Sequence, residues 1–284
     1  MLTLAIQKKG RLATGSLELL EHCGIHFEHN GQEKLKTEAL NFPLEMLFLR
    51  DDDIPRYVED GVADIGIVGE NVALESAADI LKVLPLGFGK CRMSIAVPKH
   101  LAYTGVQDLQ DKRIATSYPR LLKKFLNRNK VSAQIHEISG SVEITPGINM
   151  ADAIFDIVST GSTLISNGLR EVELVLHSEA AVYRNRRLNP GKLALLENLC
   201  FRIQAVNKAK DHKYILLNVP NEKLEQVCRI LPGMKSPTIM PLGEPGWSSV
   251  HSVIKEDKFW EIIQQLKDAG AESLLVTDIE KMIL

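Results

Sequence analysis

The chain has 284 residues, 45% hydrophobic and 25% charged, which is typical of a globular protein with two or three cores. Its 34 basic and 36 acidic residues leave a formal net charge of −2, which provides no general attraction to nucleic acid or to a membrane surface. Four scattered cysteines, a short apolar start followed by lysines, and no apolar run of bilayer length predict a cytoplasmic protein with free thiols.

The first two thirds of the chain alternate strand-like and helix-like segments, an order that builds largely parallel α/β layers. The expected strands are the apolar runs "LTLAIQ", "EMLFLR", "ADIGIVG", "KRIATS", "QIHEIS" and "ADAIFDIV". The expected helices are "GSLELLEHCG", "DDDIPRYVEDG", "ENVALESAA" and "PRLLKKFLNRN". In the second of these helices an Asp can cap the first turn, and Pro55 fits the same turn.

Residues 61–72 and 150–164 repeat each other weakly. Both read Ala-Asp, an apolar strand, a loop with glycine, and then a helix. Two similar lobes around a cleft would explain the repeat, and so would chance in segments of this length.

From residue 211 the expected order is β-α-β-β-α-β, that of a ferredoxin-like domain. The strands are "HKYILLNV", "SPTIMPL", "WSSVHSVI" and "AESLLVTD", and the helices are "NEKLEQVCRILPG" and "KEDKFWEIIQQLKDAG". The polar segment "NKAKD", residues 207–211, is the predicted linker. A small module of this kind after an α/β body is more typical of regulation or assembly than of catalysis.

The loop "STGST" after the last strand of the α/β body is the first candidate site. If a helix starts here, its free N–H groups and the hydroxyl side chains could bind a phosphate, and the glycine admits the ligand to the backbone. By itself such a pentapeptide is more often a capped turn. The candidate residues are Ser159, Thr160, Gly161, Ser162 and Thr163.

Two aspartates precede this loop, and they favour the phosphate-binding interpretation. Asp152 and Asp156 lie on one side of a strand, because side chains alternate with a period of two. Carboxylates beside a phosphate site suit ribose hydroxyls or a metal ion that bridges phosphates. The alternative is that they are solvated acids at a strand end.

Basic residues follow two of the other strands, where α/β folds bind ligands. "QKKGR" carries Lys9 and Arg11 around Gly10, and "LRDDDIP" carries Arg50 ahead of three aspartates. Alone, each segment is more typical of a solvated helix start. Together they provide the mixed charges that a diphosphate with a metal ion requires.

His22, His26 and His29 have a spacing that resembles a metal site, but Gly24 interrupts the helix between the first two. The sequence also lacks a Gly-x-Ser-x-Gly elbow, a Walker loop, and a G-x-G-x-x-G fingerprint after a strand. None of these chemistries is therefore predicted.

These residues give the chain a resemblance to the ATP phosphoribosyltransferases of the long, single-chain type. The similar segments run in family order along the whole chain and include "AIQKKGRL", "LRDDDIP", "DGVADIGIVGENV", "LGFGKCRMSIAVP", "RIATSYP", "SGSVE", "ADAIFDIVSTGSTLISNGLREVE", "PGMKSPTIMPL" and "LKDAGAESLLV". The segment through Thr163 resembles the family signature. Asn149 stands where that signature more often has glycine, and Asn tolerates a left-handed backbone better than most residues.

The resemblance implies the first reaction of histidine biosynthesis. N1 of ATP attacks C1 of 5-phosphoribosyl pyrophosphate, with Mg²⁺ carried by the substrate phosphates rather than bound directly by the protein. It also implies a two-lobed catalytic body like that of type II periplasmic binding proteins, with lobe I at 1–95 and 182–210 and lobe II at 96–181. An ACT-like regulatory domain at 211–284, histidine as inhibitor, and a homodimer or homohexamer are implied as well.

The same resemblance, combined with the chemistry above, assigns roles to residues. The 159–163 loop would bind the 5-phosphate, with Asp152 or Asp156 toward the ribose. Lys9, Arg11 and Arg50 would stabilise the departing pyrophosphate, and Glu143 with Gly10 would contact ATP. Glu143 could instead be a helix-capping acid. Histidine would bind near Met234, Ser236, Thr238 and Ser273.

A different class of protein fits part of the same pattern. A two-lobed, non-catalytic receptor for a small molecule, with a tail that senses an amino acid, would share the lobes and the C-terminal module. The absence of a secretory leader and the hydroxyl-rich loop beside two aspartates favour the enzyme.

Overall fold

A computed structural model of the chain describes residues 1–28, 35–231 and 233–283. Its strands are β1 Leu2–Gln7, β2 Lys36–Glu38, β3 Leu44–Leu49, β4 Ile65–Gly69, β5 Ile80–Pro85, β6 Cys91–Pro98, β7 Arg113–Thr116, β8 Gln134–Glu137, β9 Ala153–Val158, β10 Leu169–Ser178, β11 Ala180–Asn185, β12 His212–Pro220, β13 Thr238–Pro241, β14 Trp247–Lys255 and β15 Glu272–Asp278. Its α-helices are α1 Arg11–His22, α2 Ile54–Glu59, α3 Glu70–Ser76, α4 Pro119–Arg128, α5 Ser162–Ser166, α6 Pro190–Lys210, α7 Leu224–Ile230 and α8 Glu256–Asp268. Every strand and helix predicted above is present.

The first sheet has the strand order β2-β3-β1-β4-β11-β5. Strands β3, β1 and β4 are parallel, and β11 runs antiparallel to β4. Helix α2 packs closely on β4, since a Cβ on Gly66 would come within 2.6 Å of Ile54 Cγ2. The buried Val58 completes this contact. Glycine in this strand therefore allows the helix to cover the sheet.

The predicted Asp cap of α2 is wrong. Asp53 occupies the N-cap position, but its side chain makes no capping hydrogen bond. Residues 51–53 form a 3₁₀ turn instead, in which the Asp53 N–H donates to the carbonyl oxygen of Arg50. Pro55 lies in the first turn of the helix, as predicted.

The second sheet has five strands, arranged as β3-β1-β4-β11-β5 are in the first. It reads β8-β7-β9-β6-β10 from one edge, with β8, β7 and β9 parallel and β6 antiparallel to β9. Strands β4 and β9, from the two weakly similar segments, therefore occupy equivalent positions. Each has a parallel strand on one side and an antiparallel strand on the other. The two-lobed fold predicted for the catalytic body is confirmed.

Strands from 2–85 and 180–185 build the first sheet, and strands from 91–178 build the second. We propose that the lobes are divided where the chain passes from one sheet to the other, between residues 85 and 91 and between residues 178 and 180. These positions lie a few residues before the expected limits of 95 and 182.

The C-terminal sheet is fully antiparallel, with the order β13-β14-β12-β15. Counted within this domain, the order is 2-3-1-4, that of the ferredoxin-like fold. Helices α7 and α8 bury Val227 and Leu266 in a core with Ile215, Leu217 and Val250. The β-α-β-β-α-β prediction is confirmed.

The described residues group into two compact units, which fall within 1–21 with 25–196 and within 22–24 with 197–284. The predicted linker at 207–211 is wrong, because residues 207–210 form the last turn of α6. Lys208 and Lys210 suit the negative end of the helix dipole, and Val206 and Ala209 are buried. None of the helices within the described residues has the length and hydropathy of a membrane span.

Candidate active site

A cavity of about 300 Å³ lies at the carboxyl end of β9. The whole "STGST" loop lines it, together with Asp156 and Glu143. Arg11, the first residue of α1, also lines it. The fold therefore brings together eight predicted site residues, which are Arg11, Glu143, Asp156, Ser159, Thr160, Gly161, Ser162 and Thr163.

The loop changes direction at Gly161, whose φ of +82° lies in the left-handed region. Helix α5 begins directly after this glycine, as the phosphate-binding interpretation requires. Among the described residues, the backbone N–H groups of Gly161, Thr163 and Leu164 have no hydrogen-bond acceptor. Backbone donors without acceptors at the start of a helix suit an anion.

Asp156 is the half-buried carboxylate of this cavity. Its pKa is raised to about 6, mainly by burial and also by the negative charge of Glu143, against the opposing effect of the hydrogen bond from the Ile157 N–H (2.7 Å). The carboxylate therefore titrates just below neutral pH. Its oxygens can accept hydrogen bonds from a bound ligand.

Asp152 does not line this cavity. It precedes the first residue of β9, four residues or about 13 Å along the strand from Asp156. The Arg113 guanidinium donates to both of its oxygens, at 2.8 and 3.2 Å, and this pairing lowers the pKa of Asp152 to about 2. The predicted pair of aspartates is thus divided between a cavity and an ion pair.

A second cavity, of about 560 Å³, lies among the carboxyl ends of strands from both sheets. Arg50, Asp51 and Asp52 line it from the first sheet, and burial raises the pKa of Asp52. From the second sheet it is lined by Tyr118 and by residues 137–140, among others. The cavity therefore has a mixed charge, with one guanidinium among several carboxylates.

Tyr118 lies near the charged groups of both cavities. Burial raises the pKa of its phenol, and the charges of Asp156, Asp51 and Asp52 raise it as well. Its oxygen accepts a hydrogen bond from Asn71 Nδ2 at 3.2 Å. The phenol therefore stays neutral, and it lines the larger cavity while lying near Asp156 of the smaller one. Sequence reasoning missed this residue, although its position between a strand and a helix-starting proline in "SYP" could have indicated it.

Glu75 connects α3 of the first lobe to α4 of the second. Its two oxygens accept hydrogen bonds from the N–H groups of Arg120 and Leu121, each at 2.8 Å. These N–H groups belong to the first turn of α4 and have no partner within that helix. The carboxylate thus caps a helix of the opposite lobe, a role that only the tertiary structure reveals.

The other basic candidates are divided between locations. Lys9 and Gly10 lie in the turn between β1 and α1, where Gly10 has a φ of +101°. Neither lines the two cavities, whereas Arg11 lines the smaller and Arg50 the larger. The three predicted cations therefore do not form one cluster. Asn149, the departure from the signature, adopts the left-handed conformation with φ of 56°.

The four candidate effector residues lie at or near the two opposite edges of the C-terminal sheet. Thr238 begins the edge strand β13, shortly after Met234 and Ser236, and Ser273 lies in the other edge strand, β15. Three strand spacings separate these edges, or roughly 14 Å. One copy of the chain does not bring the four residues into one pocket.

Within 1–28, 35–231 and 233–283, no group of three or more His, Cys, Asp or Glu side chains is arranged to hold a metal ion. His29 lies outside the described residues. All four cysteines carry free thiols.

Family models match the chain from residue 50 almost to its end. The model described as HisG, ATP phosphoribosyltransferase, matches residues 50–205, and the model of the HisG C-terminal domain matches residues 209–281. An ATP phosphoribosyltransferase of Cytophaga hutchinsonii is 59% identical over 283 residues, covering 100% of this chain and 99% of that protein. One from Phocaeicola vulgatus is 53% identical over 284 residues, the full length of both.

A solved structure gives the same relationship. The ATP phosphoribosyl transferase (HisG:HisZ) complex from Thermotoga maritima contains a chain that is 30% identical, with a TM-score of 0.61. The match covers 72% of this chain and 99% of that one.

Proposed function

Since this chain belongs to the ATP phosphoribosyltransferase family and is a glycosyltransferase of histidine biosynthesis, we propose that its two cavities hold the two substrates of that reaction. N1 of ATP attacks C1 of phosphoribosyl pyrophosphate, the bond from C1 to the pyrophosphate oxygen breaks, and phosphoribosyl-ATP forms. The observation that carries the proposal is the loop 159–163, whose unpaired N–H groups line a cavity beside a half-buried carboxylate.

The loop 159–163 binds the 5-phosphate of the ribosyl donor. Its backbone N–H groups and hydroxyls are donors on one short loop that lines this cavity, as a phosphate requires. Asp156 accepts hydrogen bonds from the ribose hydroxyls. As the pyrophosphate departs, positive charge develops on the ribose, and a carboxylate with limited exposure stabilises that charge more than a solvated one. We assign Asp152 a structural role, because Arg113 already occupies both its oxygens.

The departing pyrophosphate needs cations. Arg11 is the basic residue that lines the smaller cavity, and Arg50 approaches from the larger one. Lys9 neighbours Arg11 along the chain and can add a third positive charge. Mg²⁺ carried by the substrate phosphates would neutralise part of the charge of the pyrophosphate.

ATP occupies the larger cavity, which Tyr118 lines close enough to Asp156 for the two groups to interact electrostatically. Adenine N1 is a nucleophile without deprotonation, so alignment of the two bound substrates supplies much of the catalysis. Glu143 lines the smaller cavity and is close enough to Asp156 to raise its pKa, which supports a contact with the nucleotide ribose at the junction. Gly10 lines neither cavity, so its contact with the nucleotide would require ATP to extend beyond the larger cavity toward the turn before Arg11.

A coupled assay of pyrophosphate release tests the proposal. We expect release only when ATP and phosphoribosyl pyrophosphate are both present, together with Mg²⁺. Release without ATP, or no release with both substrates, would contradict it. The rival function, a non-catalytic receptor with an amino-acid-sensing tail, predicts binding without turnover.

Because the family is biosynthetic and the thiols are free, we place the enzyme in the cytoplasm.

Histidine inhibits the enzyme through the C-terminal domain. The candidate residues on β13 and β15 lie about 14 Å apart on opposite sheet edges. We therefore propose that the β13 side of one copy faces the β15 side of another and that histidine binds between them. Such contacts generate homodimers and, when repeated, a hexamer. Sedimentation with and without histidine tests this, since inhibition of a strictly monomeric chain would exclude a shared pocket.

A further inference from the structure

Beneath the loop 159–163 lies a guanidinium whose contacts the proposed reaction does not use. Arg92, near the start of β6, donates from Nε to Glu171 Oε1 and from Nη2 to Glu171 Oε2, both at 2.6 Å. Its third nitrogen, Nη1, donates to the carbonyl oxygen of Ser159 at 2.9 Å. Ser94, which is 1% exposed, donates to Glu171 Oε1 at 2.7 Å.

The contact at Ser159 fixes the orientation of one peptide group. A trans peptide is planar, so the N–H of Thr160 points away from the carbonyl oxygen of Ser159. While that oxygen faces Arg92, it cannot turn toward the cavity, where its negative end would repel a phosphate. Gly161 follows directly with a φ of +82°, and glycine offers little resistance to rotation of the neighbouring peptides.

We propose that Arg92, Glu171 and Ser94 form a lock that holds the peptide between residues 159 and 160 in the orientation that receives a phosphate. Arg92 is a positioning residue for use of the ribosyl donor, and this role rests on the proposed function of the loop. The lock depends on geometry more than on charge. Glu171 neutralises the guanidinium, and both of its oxygens are held in a bidentate pair.

The same sheet contains a second pair of the same design, which provides a matched control. Arg113 donates from Nε and Nη2 to Asp152 and from Nη1 to the carbonyl oxygen of Asn149, at 2.9 Å. Side-chain exposures are also similar, at 31% and 27% for Arg92 and Glu171 and 37% and 34% for Arg113 and Asp152. The two pairs differ in what the third nitrogen holds, because only Arg92 reaches the phosphate-binding loop.

The experiment compares Arg92→Lys with Arg113→Lys. Lysine keeps the positive charge but cannot make the bidentate pair and the third bond together. For Arg92→Lys we expect kcat/KM for phosphoribosyl pyrophosphate to fall by about 100-fold, as for other misplacements of a binding group. The KM for ATP stays unchanged. For Arg113→Lys we expect a similar loss of thermal stability and wild-type kinetics with both substrates.

Two further variants keep the test decisive if Arg92→Lys folds poorly. Glu171→Gln removes the carboxylate that orients the guanidinium, and Ser94→Ala removes one hydrogen bond to that carboxylate. The loss of kcat/KM for the ribosyl donor should therefore be large in Glu171→Gln and smaller in Ser94→Ala. Wild-type kcat/KM for the ribosyl donor in Arg92→Lys or Glu171→Gln would overturn the lock. The lock would also be overturned if kcat/KM fell equally for both substrates and Arg113→Lys showed the same losses.

Binding of ribose 5-phosphate, measured by calorimetry, separates the lock from the proposed reaction. We expect weaker binding in Arg92→Lys and unchanged binding in Arg113→Lys. If the wild-type chain binds ribose 5-phosphate in this pattern but releases no pyrophosphate, the reaction is wrong and the lock stands. If it releases pyrophosphate while Arg92→Lys binds like wild type, only the lock is wrong.

Discussion

Replacing Asp156 with asparagine should make the ligand-free protein more stable at neutral pH while reducing its activity. Burial raises the pKa of this carboxyl from its ordinary 3.8 to about 6. Above pH 6 the group is charged in both the folded and the unfolded state, and the folded state carries the free-energy penalty of the buried charge. Below pH 3.8 it is neutral in both. The stability contributed by Asp156 is therefore lost as the pH rises from about 4 to about 6.

A pKa that rises from 3.8 to about 6 corresponds to about 3 kcal/mol of unfolding free energy at neutral pH, at 1.36 kcal/mol per pH unit. Asparagine keeps the shape and removes the charge, so Asp156→Asn should recover up to that amount at pH 8 and almost none at pH 4. The loss of the acceptor for the Ile157 N–H reduces the gain if the amide turns the wrong way.

Urea denaturation of both proteins at pH 4, 6 and 8, in the absence of substrates, measures this difference. A carboxyl ¹³C titration of the wild type gives the pKa directly. An Asp156→Asn variant that is no more stable than wild type at pH 8, or a titration midpoint near 4, would refute the reasoning. The gain in stability and the loss of turnover should occur in the same variant, because the buried charge that lowers stability is also the group proposed to contact the ribose.

Three other changes have expected outcomes. Gly161→Ala should fold normally, since the nearest atoms to the new Cβ are 3.9 Å away. Its positive φ costs about 1 kcal/mol with a Cβ present, and the strained loop should raise the KM for phosphoribosyl pyrophosphate. Thr163→Val should raise the same KM by removing a hydrogen-bond donor. Glu75→Gln should lower the unfolding free energy by about 1 kcal/mol, because the amide caps only one of two N–H groups of α4. Thr238→Val and Ser273→Ala should each raise the histidine concentration for half-inhibition by about tenfold.

Each of these predictions has a contrasting result. Gly168→Ala adds a methyl group at a φ of +70° in open space just after α5, so an equal rise in KM there would exclude a specific role of Gly161. Unchanged urea stability of Glu75→Gln would show that the cap between lobes is not stabilising. Wild-type inhibition by histidine in a chain with both Thr238→Val and Ser273→Ala would exclude the shared effector pocket.

The order of elements was readable from the sequence because local patterns determine it. Apolar runs bounded by polar or glycine-containing segments predicted the strands, and the β-α-β-β-α-β order predicted the C-terminal domain before any contact was known. The loop 159–163 could also be singled out, since the two aspartates before it and the resemblance of the whole chain favoured a ligand site over a capped turn. The linker prediction failed because polar composition alone does not distinguish a linker from a helix end. The lysines and the alanine of residues 207–211 suit the last turn of a helix equally well.

Tertiary structure decided how these elements combine. Asp152 and Asp156 share a strand face in the sequence pattern, but only the fold pairs the first with Arg113 and leaves the second in a cavity. Arg11 reaches the same cavity from the first lobe, whereas Lys9, two residues earlier, does not. The Arg92–Glu171 pair and the Glu75 cap join residues more than 40 positions apart. Such contacts depend on how the strands and helices pack, which no local pattern encodes. The sequence therefore determined the elements and singled out the loop 159–163, whereas packing selected the residues around that loop.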